Sequence, residues 1–333
     1  MNKKEKIVII GAQGMLGQEL VKVFKRDKEY AVFAWDKKEI DPVRSPLRTR
    51  NGKRSKWFTS NGVDITQEKK VKNKISKLRP SVIINAAAYN AVDKAEDAKE
   101  YSFAKKVNGL APGYLAKAAK EIGAVLVHYS TDYVFDGNPD IPEPEGCAHA
   151  CSSCNLHETF QPAIGFDENA KPRPISKYGR SKLTGEKEIR KITKKYYIIR
   201  LSKLFGKLAK AKDAKKSFFD VMLEAGKKNK VVKVVDEETS CFTYAPDLAK
   251  KTKEIIDSKK PFGVYHIVNS EPCTWYEAVL ELYKIAKIKA KVIPVSATEF
   301  PRPAKRPYYS VLLNTKLNPL RSYKEALKEY LKK

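Results

Sequence analysis

The chain has 333 residues, five cysteines and a formal net charge of +27 at pH 7. This length supports one large or two modest domains with a buried core, and no apolar run is long enough to span a membrane. The odd number of cysteines argues against a secreted disulfide framework. The first apolar run leads into a glycine motif without a signal-peptide cleavage site, so we expect a cytoplasmic protein.

The positive charge comes from 66 lysines and arginines that are spread over nearly every segment. Polyanion binding is one explanation of such a charge, and a lysine-rich, solvated surface is the other. No nucleic-acid-binding motif accompanies the charge. We therefore expect no membrane partner and no specific nucleic-acid partner.

Short β-branched runs alternate with segments of helical periodicity over the first 200 residues; the runs are KIVIIG, YAVFAWD, SVIINAAA, AVLVHYS and YYIIRLS, with VVKVV following later. In the first helical segment, Leu16, Leu20, Val23 and Phe24 share one face. Strands that are apolar throughout are typical of parallel sheets covered on both sides by helices. The pattern predicts an α/β fold with a Rossmann-like, doubly wound parallel sheet over residues 1–200.

The last third, residues 201–333, changes to mixed elements: VYHIVN, a helix from Thr274 to Ala286, KVIPVS and a final lysine-rich helix. We predict that it forms mainly a smaller substrate-binding lobe. Residues 43–62 and 138–165 lack any apolar period and are interpreted as inserted loops. The first is basic, and its charges are either solvated or contact a 2′-phosphate or an acidic partner; they are Arg44, Arg48, Arg50, Lys53 and Arg54.

A glycine motif, Gly11, Gly14 and Gly17, follows the first strand and opens a helix. Glycine lets the backbone approach a pyrophosphate, which then lies on the helix N-terminus. Asp36 ends the second strand, where an acid would bind a ribose 2′-hydroxyl. Lys37 and Lys38 follow it directly and would suit a 2′-phosphate. The sequence therefore predicts a dinucleotide site and leaves NAD and NADP open.

Tyr178 and Lys182 stand four residues apart on a predicted helix, and therefore on one face. A nearby ammonium favours the phenolate, so we expect Lys182 to lower the pKa of Tyr178 towards the working range. Thr131 lies at the carboxyl end of a predicted strand, where it would hold a carbonyl oxygen beside the phenol. These three residues are the candidate catalytic group.

A cysteine and histidine cluster, EGCAHACSSCNLHE, occupies residues 145–158, in the connection between Thr131 and Tyr178. Three thiolates and one imidazole make a tetrahedral zinc set, and His149 competes as a ligand. The set would be Cys147, Cys151, Cys154 and His157. An iron–sulfur cluster and reduced cysteines in a loop remain alternatives. Zinc with four protein ligands would be structural.

The chain resembles the extended short-chain dehydrogenase/reductases and, within them, the dTDP-4-dehydrorhamnose reductase family. The matching stretches are IGAQGMLGQEL, RPSVIINAAAYNAVDKAE, GAVLVHYSTDYVFDG, ISKYGRSKLTGEKE, CTWYEAV, FPRPAKRP and LLNTKL. They span nearly the whole chain apart from the two insertions.

The resemblance implies that hydride passes from a nicotinamide to C4 of a 4-keto dTDP-sugar, with Tyr178 as the proton donor, Lys182 as its support and Thr131 on the carbonyl. The implied cofactor residues are Gly11, Gln13, Gly14, Met15, Leu16, Gly17, Asp36, Lys37, Asp64, Ile65, Ala86, Ala87, Ala88, Ser130, Tyr178 and Lys182. The implied sugar residues are Tyr89, Asn90, Asp132, Tyr133 and Lys203. Dehydratases of this superfamily usually carry Asp-Glu where Asp132-Tyr133 stands, which favours simple reduction.

Two stretches depart from the family pattern near the expected sugar site. Lys203 stands where the family usually has tryptophan, and Ser240–Thr243 replaces a Gly-x-Pro-Thr motif. A non-catalytic nucleotide-binding regulatory subunit and a nucleotide-sugar epimerase are the alternative functions. The resemblance is compatible with a monomer or a homodimer.

Overall fold

The computed structural model describes residues 4–37, 62–139, 164–209 and 215–332. The two predicted insertions lie almost entirely outside these ranges. All four predicted metal ligands, Cys147, Cys151, Cys154 and His157, also lie outside the described residues.

The strands in chain order are β1 (Glu5–Ile10), β2 (Tyr30–Trp35), β3 (Val82–Asn85), β4 (Val125–Thr131), β5 (Tyr196–Leu201), β6 (Leu204–Phe205), β7 (Val231–Val235), β8 (Thr243–Tyr244), β9 (Gly263–His266), β10 (Asn269–Ser270), β11 (Lys291–Val295) and β12 (Leu320–Ser322). The α-helices are α1 (Met15–Lys25), α2 (Glu68–Leu78), α3 (Ala98–Ala104), α4 (Ala111–Ile122), α5 (Lys177–Ile192), α6 (Phe218–Lys228), α7 (Ala245–Asp257), α8 (Trp275–Ala286) and α9 (Tyr323–Leu331).

The main sheet has six parallel strands in the order β2-β1-β3-β4-β5-β9. The strand order reverses next to β1, because β2 pairs on one side of it and β3 on the other. Ligands of doubly wound sheets bind in the crevice at the carboxyl ends of such strands. The predicted Rossmann-like sheet is confirmed, and its topology places a binding site above β1 and β3.

Helices cover both faces of this sheet. Leu20 and Phe24 of α1 pack with Leu248 of α7 on one face, as the periodicity of the first helical segment predicts. On the other face, Ile75 of α2 and Leu115 of α4 belong to the second core cluster. Complete burial of each such side chain contributes about 1.5–3 kcal/mol.

The smaller lobe is built from α6, α8, α9 and the parallel pair β7–β11 around an aromatic core. The predicted helix after Thr274 is present, and the Thr274 and Glu277 side chains form a capping box at its start. The VYHIVN run differs from the prediction, because its strand β9 pairs with β5 in the main sheet. Residues 245–266 therefore belong to the sheet and its covering layer.

Candidate active site

A cleft of about 1040 Å³ lies at the carboxyl ends of β1, β3, β4 and β5. It is lined by most of the cofactor residues that the sequence indicates: Gly11, Gly14, Met15, Leu16, Asp36, Lys37, Asp64, Ile65, Ala86, Ala87, Ala88, Ser130, Tyr178 and Lys182. Thr131, Tyr89, Asn90 and Lys203 line the same cleft. Gln13, Gly17, Asp132 and Tyr133 are not among the lining residues.

The glycine turn packs closely against the backbone that follows β3, and its last glycine packs closely against its first. Gly11 has φ +78°, and a Cβ on it would lie 2.7 Å from the Ala87 nitrogen. A Cβ on Gly17 would lie 2.0 Å from the Gly11 carbonyl oxygen. Both positions therefore require glycine. Helix α1 begins with Gly14 at its N-cap and no side-chain cap, so its first N–H groups are available to a phosphate.

Asp36 holds this turn in shape. One carboxylate oxygen accepts a hydrogen bond from the Gln13 backbone N–H (3.0 Å), and the other accepts from the Lys37 N–H (2.8 Å). Gln13 thus contributes through its backbone and lies behind the cleft wall. The Lys37 ammonium lies 3.8 Å from the Asp64 carboxylate and 5.3 Å from the Phe103 ring centre. An acid and a cation therefore lie together at this end of the cleft.

The candidate catalytic residues converge on the cleft from β4 and α5. Ser176 caps α5 by accepting a hydrogen bond from the Gly179 N–H, which starts the helix just before Tyr178. A Cβ on Gly179 would lie 2.1 Å from the Tyr133 carbonyl oxygen, so the helix start abuts the turn after β4. The Tyr133 ring meets the Tyr178 ring edge to face at 5.9 Å.

Burial moves the two catalytic pKa values in opposite directions. The pKa of Tyr178 is raised, first by burial and then by the charge of Asp132. Burial lowers the pKa of Lys182 to about 8, against the opposing charge of Glu186. Burial is the largest cause at the phenol, and the Lys182 ammonium donates to the Tyr129 carbonyl. The expectation that Lys182 lowers the Tyr178 pKa stays a prediction.

Asp132 lies behind Thr131 and does not reach the cleft. Its side chain is buried (3% exposed) and accepts hydrogen bonds from the hydroxyls of Thr131 (2.9 Å), Ser202 (2.7 Å) and Ser310 (2.7 Å). Its pKa is raised by burial, and the three hydroxyls oppose this. This carboxylate therefore holds the Thr131 hydroxyl, and the expected contact of Asp132 with the sugar stays a prediction.

Asn108 is a site residue that the sequence analysis missed. It lies in a π-helical turn, Lys105–Leu110, and its amide accepts from the Tyr89 N–H and donates to the Tyr89 carbonyl. It also donates to the Ser181 hydroxyl on α5. One buried asparagine thereby joins the loop after β3 to the helix of Tyr178. No local pattern in the sequence predicts this role, since the turn reads KKVNGL and mixes charged, apolar and small residues.

Lys203 lines the cleft from the smaller lobe. Its ammonium lies 3.8 Å from the Trp275 ring centre and donates to the Glu238 carbonyl. Burial lowers the pKa of Lys203 to about 8. The family resemblance places Phe242, within Ser240–Thr243, near the sugar, and the structure brings Phe242 to the cleft. Phe218 and Trp275 line the cleft as well, and no sequence motif pointed to them.

The residues present fit a nicotinamide dinucleotide. A glycine turn without room for Cβ atoms, an uncapped helix start and a buried Tyr-Lys pair face one cleft. The fold and this site define an NAD(P)-dependent oxidoreductase of the extended short-chain dehydrogenase/reductase class.

The family model of the RmlD substrate binding domain matches residues 5–333. The chain is 30% identical to the dTDP-4-dehydrorhamnose reductase of Streptomyces griseus over 97% of this chain and 91% of that protein. It is 29% identical to the spore coat polysaccharide biosynthesis protein SpsK of Bacillus subtilis, over 98% and 96% of the two chains. A crystal structure of a dTDP-4-dehydrorhamnose reductase from Bacillus anthracis in complex with NADP superimposes with a TM-score of 0.78 at 30% identity, covering 99% of each chain. The chain belongs to the dTDP-4-dehydrorhamnose reductase family.

Within residues 4–37, 62–139, 164–209 and 215–332, no group of three or more His, Cys, Asp or Glu side chains is placed to hold a metal ion. The predicted zinc ligands lie outside these ranges, so the zinc site stays a prediction. None of the helices in the same ranges is long and apolar enough to cross a membrane.

Proposed function

We propose that the enzyme reduces the C4 ketone of a dTDP-4-dehydro-6-deoxy sugar with NADPH or NADH, with dTDP-4-dehydro-L-rhamnose as the first candidate substrate. The observation that carries this proposal is the convergence of Thr131, Tyr178 and Lys182 on one cleft with the glycine turn. The family to which the chain belongs supports the choice of substrate. The product would enter polysaccharide biosynthesis.

In this mechanism the bound nicotinamide supplies the hydride. Tyr178 holds its proton at neutral pH because its pKa is raised, and it donates that proton to the oxygen at C4. Lys182 is charged below about pH 8 and stabilises the phenolate that remains. Asp132 orients the Thr131 hydroxyl beside them. Tyr133, and not a second carboxylic acid, directly follows Asp132, which supports reduction without dehydration.

The sugar would lie between the Rossmann-like part and the smaller lobe, against Tyr89, Asn90, Tyr133 and Lys203. We propose two domains, a cofactor-binding part over residues 1–200 and a mainly substrate-binding lobe over residues 201–333. Residues 245–266 are the exception, because they belong to the main sheet and the layer that covers it. We propose a cytoplasmic enzyme, monomeric or homodimeric.

The cysteine cluster is proposed to hold one structural zinc through Cys147, Cys151, Cys154 and His157. Such a short segment has little core of its own and would fold around the metal. Elemental analysis of the purified protein is expected to give about one zinc per chain. A metal-free protein in which the three thiols react with a thiol reagent would contradict the assignment; iron with sulfide would favour the cluster alternative.

The test of the function is oxidation of NADPH and NADH, in parallel, with dTDP-4-dehydro-L-rhamnose. We expect turnover with wild type and a loss of about 10²–10⁴-fold in kcat for Tyr178→Phe. Tyr197→Phe, a buried tyrosine outside the cleft, is the matched control. Absence of turnover with a bound cofactor would contradict the substrate, and stoichiometric nicotinamide retained on purification would favour the epimerase alternative.

A further inference from the structure

Two buried polar side chains beside Lys182 have no part in the proposed mechanism. His128 and Ser130 are two residues apart on β4 and therefore face the same side of the sheet. They are 1% and 4% exposed. Within the part of the chain that the structure describes, neither His128 Nε2 nor Ser130 Oγ has a hydrogen-bond partner of normal geometry. Leaving a buried polar group unpaired costs about 1–3 kcal/mol, so both atoms need a partner.

The hydrogen-bond network fixes which nitrogen of His128 carries the proton. The Asn85 side-chain oxygen accepts from the Ala87 N–H at 3.2 Å, so its amide nitrogen is the atom that faces His128 Nδ1 at 3.1 Å. That nitrogen donates, and Nδ1 must accept. Burial lowers the pKa of His128 well below its usual value and keeps the ring neutral. The proton therefore lies on Nε2, which is a donor without an acceptor.

The Lys182 ammonium has three N–H donors beside the same stretch of β4. Its ammonium donates one hydrogen bond to the carbonyl of Tyr129, the residue between His128 and Ser130. Tyr178 and Glu186 lie one turn away on either side along its own helix. The charge of Lys182 reaches His128 and, after burial, is the second cause that lowers the pKa of that ring. Arg200 of β5 donates to both oxygens of Glu186, at 2.9 and 2.7 Å. Both carboxylate oxygens are therefore already hydrogen-bonded. The Ser130 hydroxyl lies beside Glu186 and helps to lower its pKa.

We propose that His128 Nε2, Ser130 Oγ and Lys182 Nζ hold one buried water molecule, and that His128 is a positioning residue for Lys182. A water accepts from the imidazole and the ammonium and donates to the serine oxygen, which pairs all three groups. It also solvates the charged form of Lys182, against the burial that disfavours that form. The inference rests on the proposed function for its effect on catalysis.

The binding part is tested without substrate. Long-range ¹H–¹⁵N correlation spectra of the full chain, which has four histidines, are recorded for wild type and for His128→Phe to assign the signal. We expect a neutral Nε2–H ring whose proton exchanges slowly. A high-resolution crystal structure is expected to show a water within hydrogen-bond distance of Nε2 and Lys182 Nζ. A Nδ1–H ring, or a direct contact in place of the water, would overturn the proposal.

The catalytic part is tested by the pH dependence of kcat/KM at saturating cofactor. His128→Phe and Ser130→Ala should move the alkaline limb down by about half a pH unit or more, because Lys182 loses a solvating partner. His128→Gln, whose amide can donate, should recover part of the shift. Tyr197→Phe is the matched control, since it removes a buried polar group that donates to the Lys260 carbonyl, outside this network.

An alkaline limb that stays at the wild-type pH in both His128→Phe and Ser130→Ala overturns the role, even where kcat falls. If His128→Phe does not fold, Ser130→Ala and His128→Gln decide the result alone. An inactive wild type would refute the proposed function, while the spectra and the crystal structure would still decide the water site.

Discussion

The Tyr178 phenol and the Lys182 ammonium share one face of a helix. Burial disfavours the charged form of each side chain, so it raises the pKa of Tyr178 and lowers that of Lys182. For the phenol this keeps the proton in place, as a proton donor requires. For the amine it lowers the pKa to about 8, so the charge is present only below that pH. The proposed mechanism needs a protonated tyrosine and a charged lysine, and these pKa directions favour that combination at neutral pH.

This pair predicts a fall in activity above about pH 8. Lys182 is charged below its lowered pKa and loses its proton as the pH rises through that value, which removes the charge that stabilises the phenolate. The measurement is kcat/KM against pH at saturating cofactor. Lys182→Met should lower activity at all pH values and abolish this limb. A wild-type profile that stays flat up to about pH 10 would contradict the assignment.

The sequence predicts this pair and misses what surrounds it. The four-residue spacing of Tyr178 and Lys182 is local and directly visible. Asp132 was expected at the sugar because it follows Thr131, but its partners Ser202 and Ser310 are 70 and 178 residues away. Contacts of that range depend on how the elements pack, and no local pattern encodes them.

At the scale of elements, the turn between β1 and α1 joins sequence pattern and packing most directly. The glycine spacing predicts a close approach, and the structure shows which backbone atoms are approached. A Cβ on Gly17 would lie 2.0 Å from the Gly11 carbonyl oxygen, whereas a Cβ on Gly14 would lie 3.1 Å from the same atom. The three glycines are therefore not equivalent.

Gly17→Ala is expected to weaken cofactor binding more than Gly14→Ala. The added methyl on Gly17 must displace the turn, and overpacking of this kind costs about 1–3 kcal/mol. Cofactor titration and thermal unfolding of both variants are the measurements. Gly123→Ala is the control for a glycine outside the turn: its φ of +75° makes alanine strained there, so it should lower thermal stability without weakening cofactor binding. Equal cofactor affinity in wild type and Gly17→Ala would contradict this account of the turn.

Elements with strong local signals were predictable and their placement was not. The helix at Trp275–Ala286 follows from Thr274 and the acid three residues later, which form its capping box. The VYHIVN run was recognisable as an extended segment. Its partner β5 lies more than 60 residues earlier, so the sequence did not show that it belongs to the main sheet.

At the scale of the molecule, the C-terminal segment ties the smaller lobe to the loop after β3. Arg306 donates to both oxygens of Asp93, at 3.0 and 2.8 Å, and Arg302 pairs with Glu238. The pKa of Tyr133 is raised, first by burial and then by the charge of Asp132, and the charges of both arginines oppose this rise. These ion pairs lie within electrostatic reach of Tyr133, which the proposed function places at the sugar.

Arg306→Gln should raise the KM for the sugar about 3–10-fold and leave the cofactor Kd nearly unchanged, because a bidentate, partly buried pair is lost only at the sugar end. Asp93→Asn should have a similar effect, and the double variant should add little to either. Lys72→Gln, which breaks an exposed pair with Glu121, is the control. A rise in the cofactor Kd with an unchanged sugar KM would contradict this placement of the sugar.

Transfer of the hydride to C4 is the central claim, and isotope transfer tests it most directly. The enzyme is given NADPH or NADH carrying deuterium at C4 of the nicotinamide, together with dTDP-4-dehydro-L-rhamnose, and the product is analysed by NMR. The account predicts one deuterium at C4 of the sugar with wild type and almost none with Tyr178→Phe in the same time. Deuterium at any other carbon, or an unlabelled product that forms without nicotinamide oxidation, would contradict it.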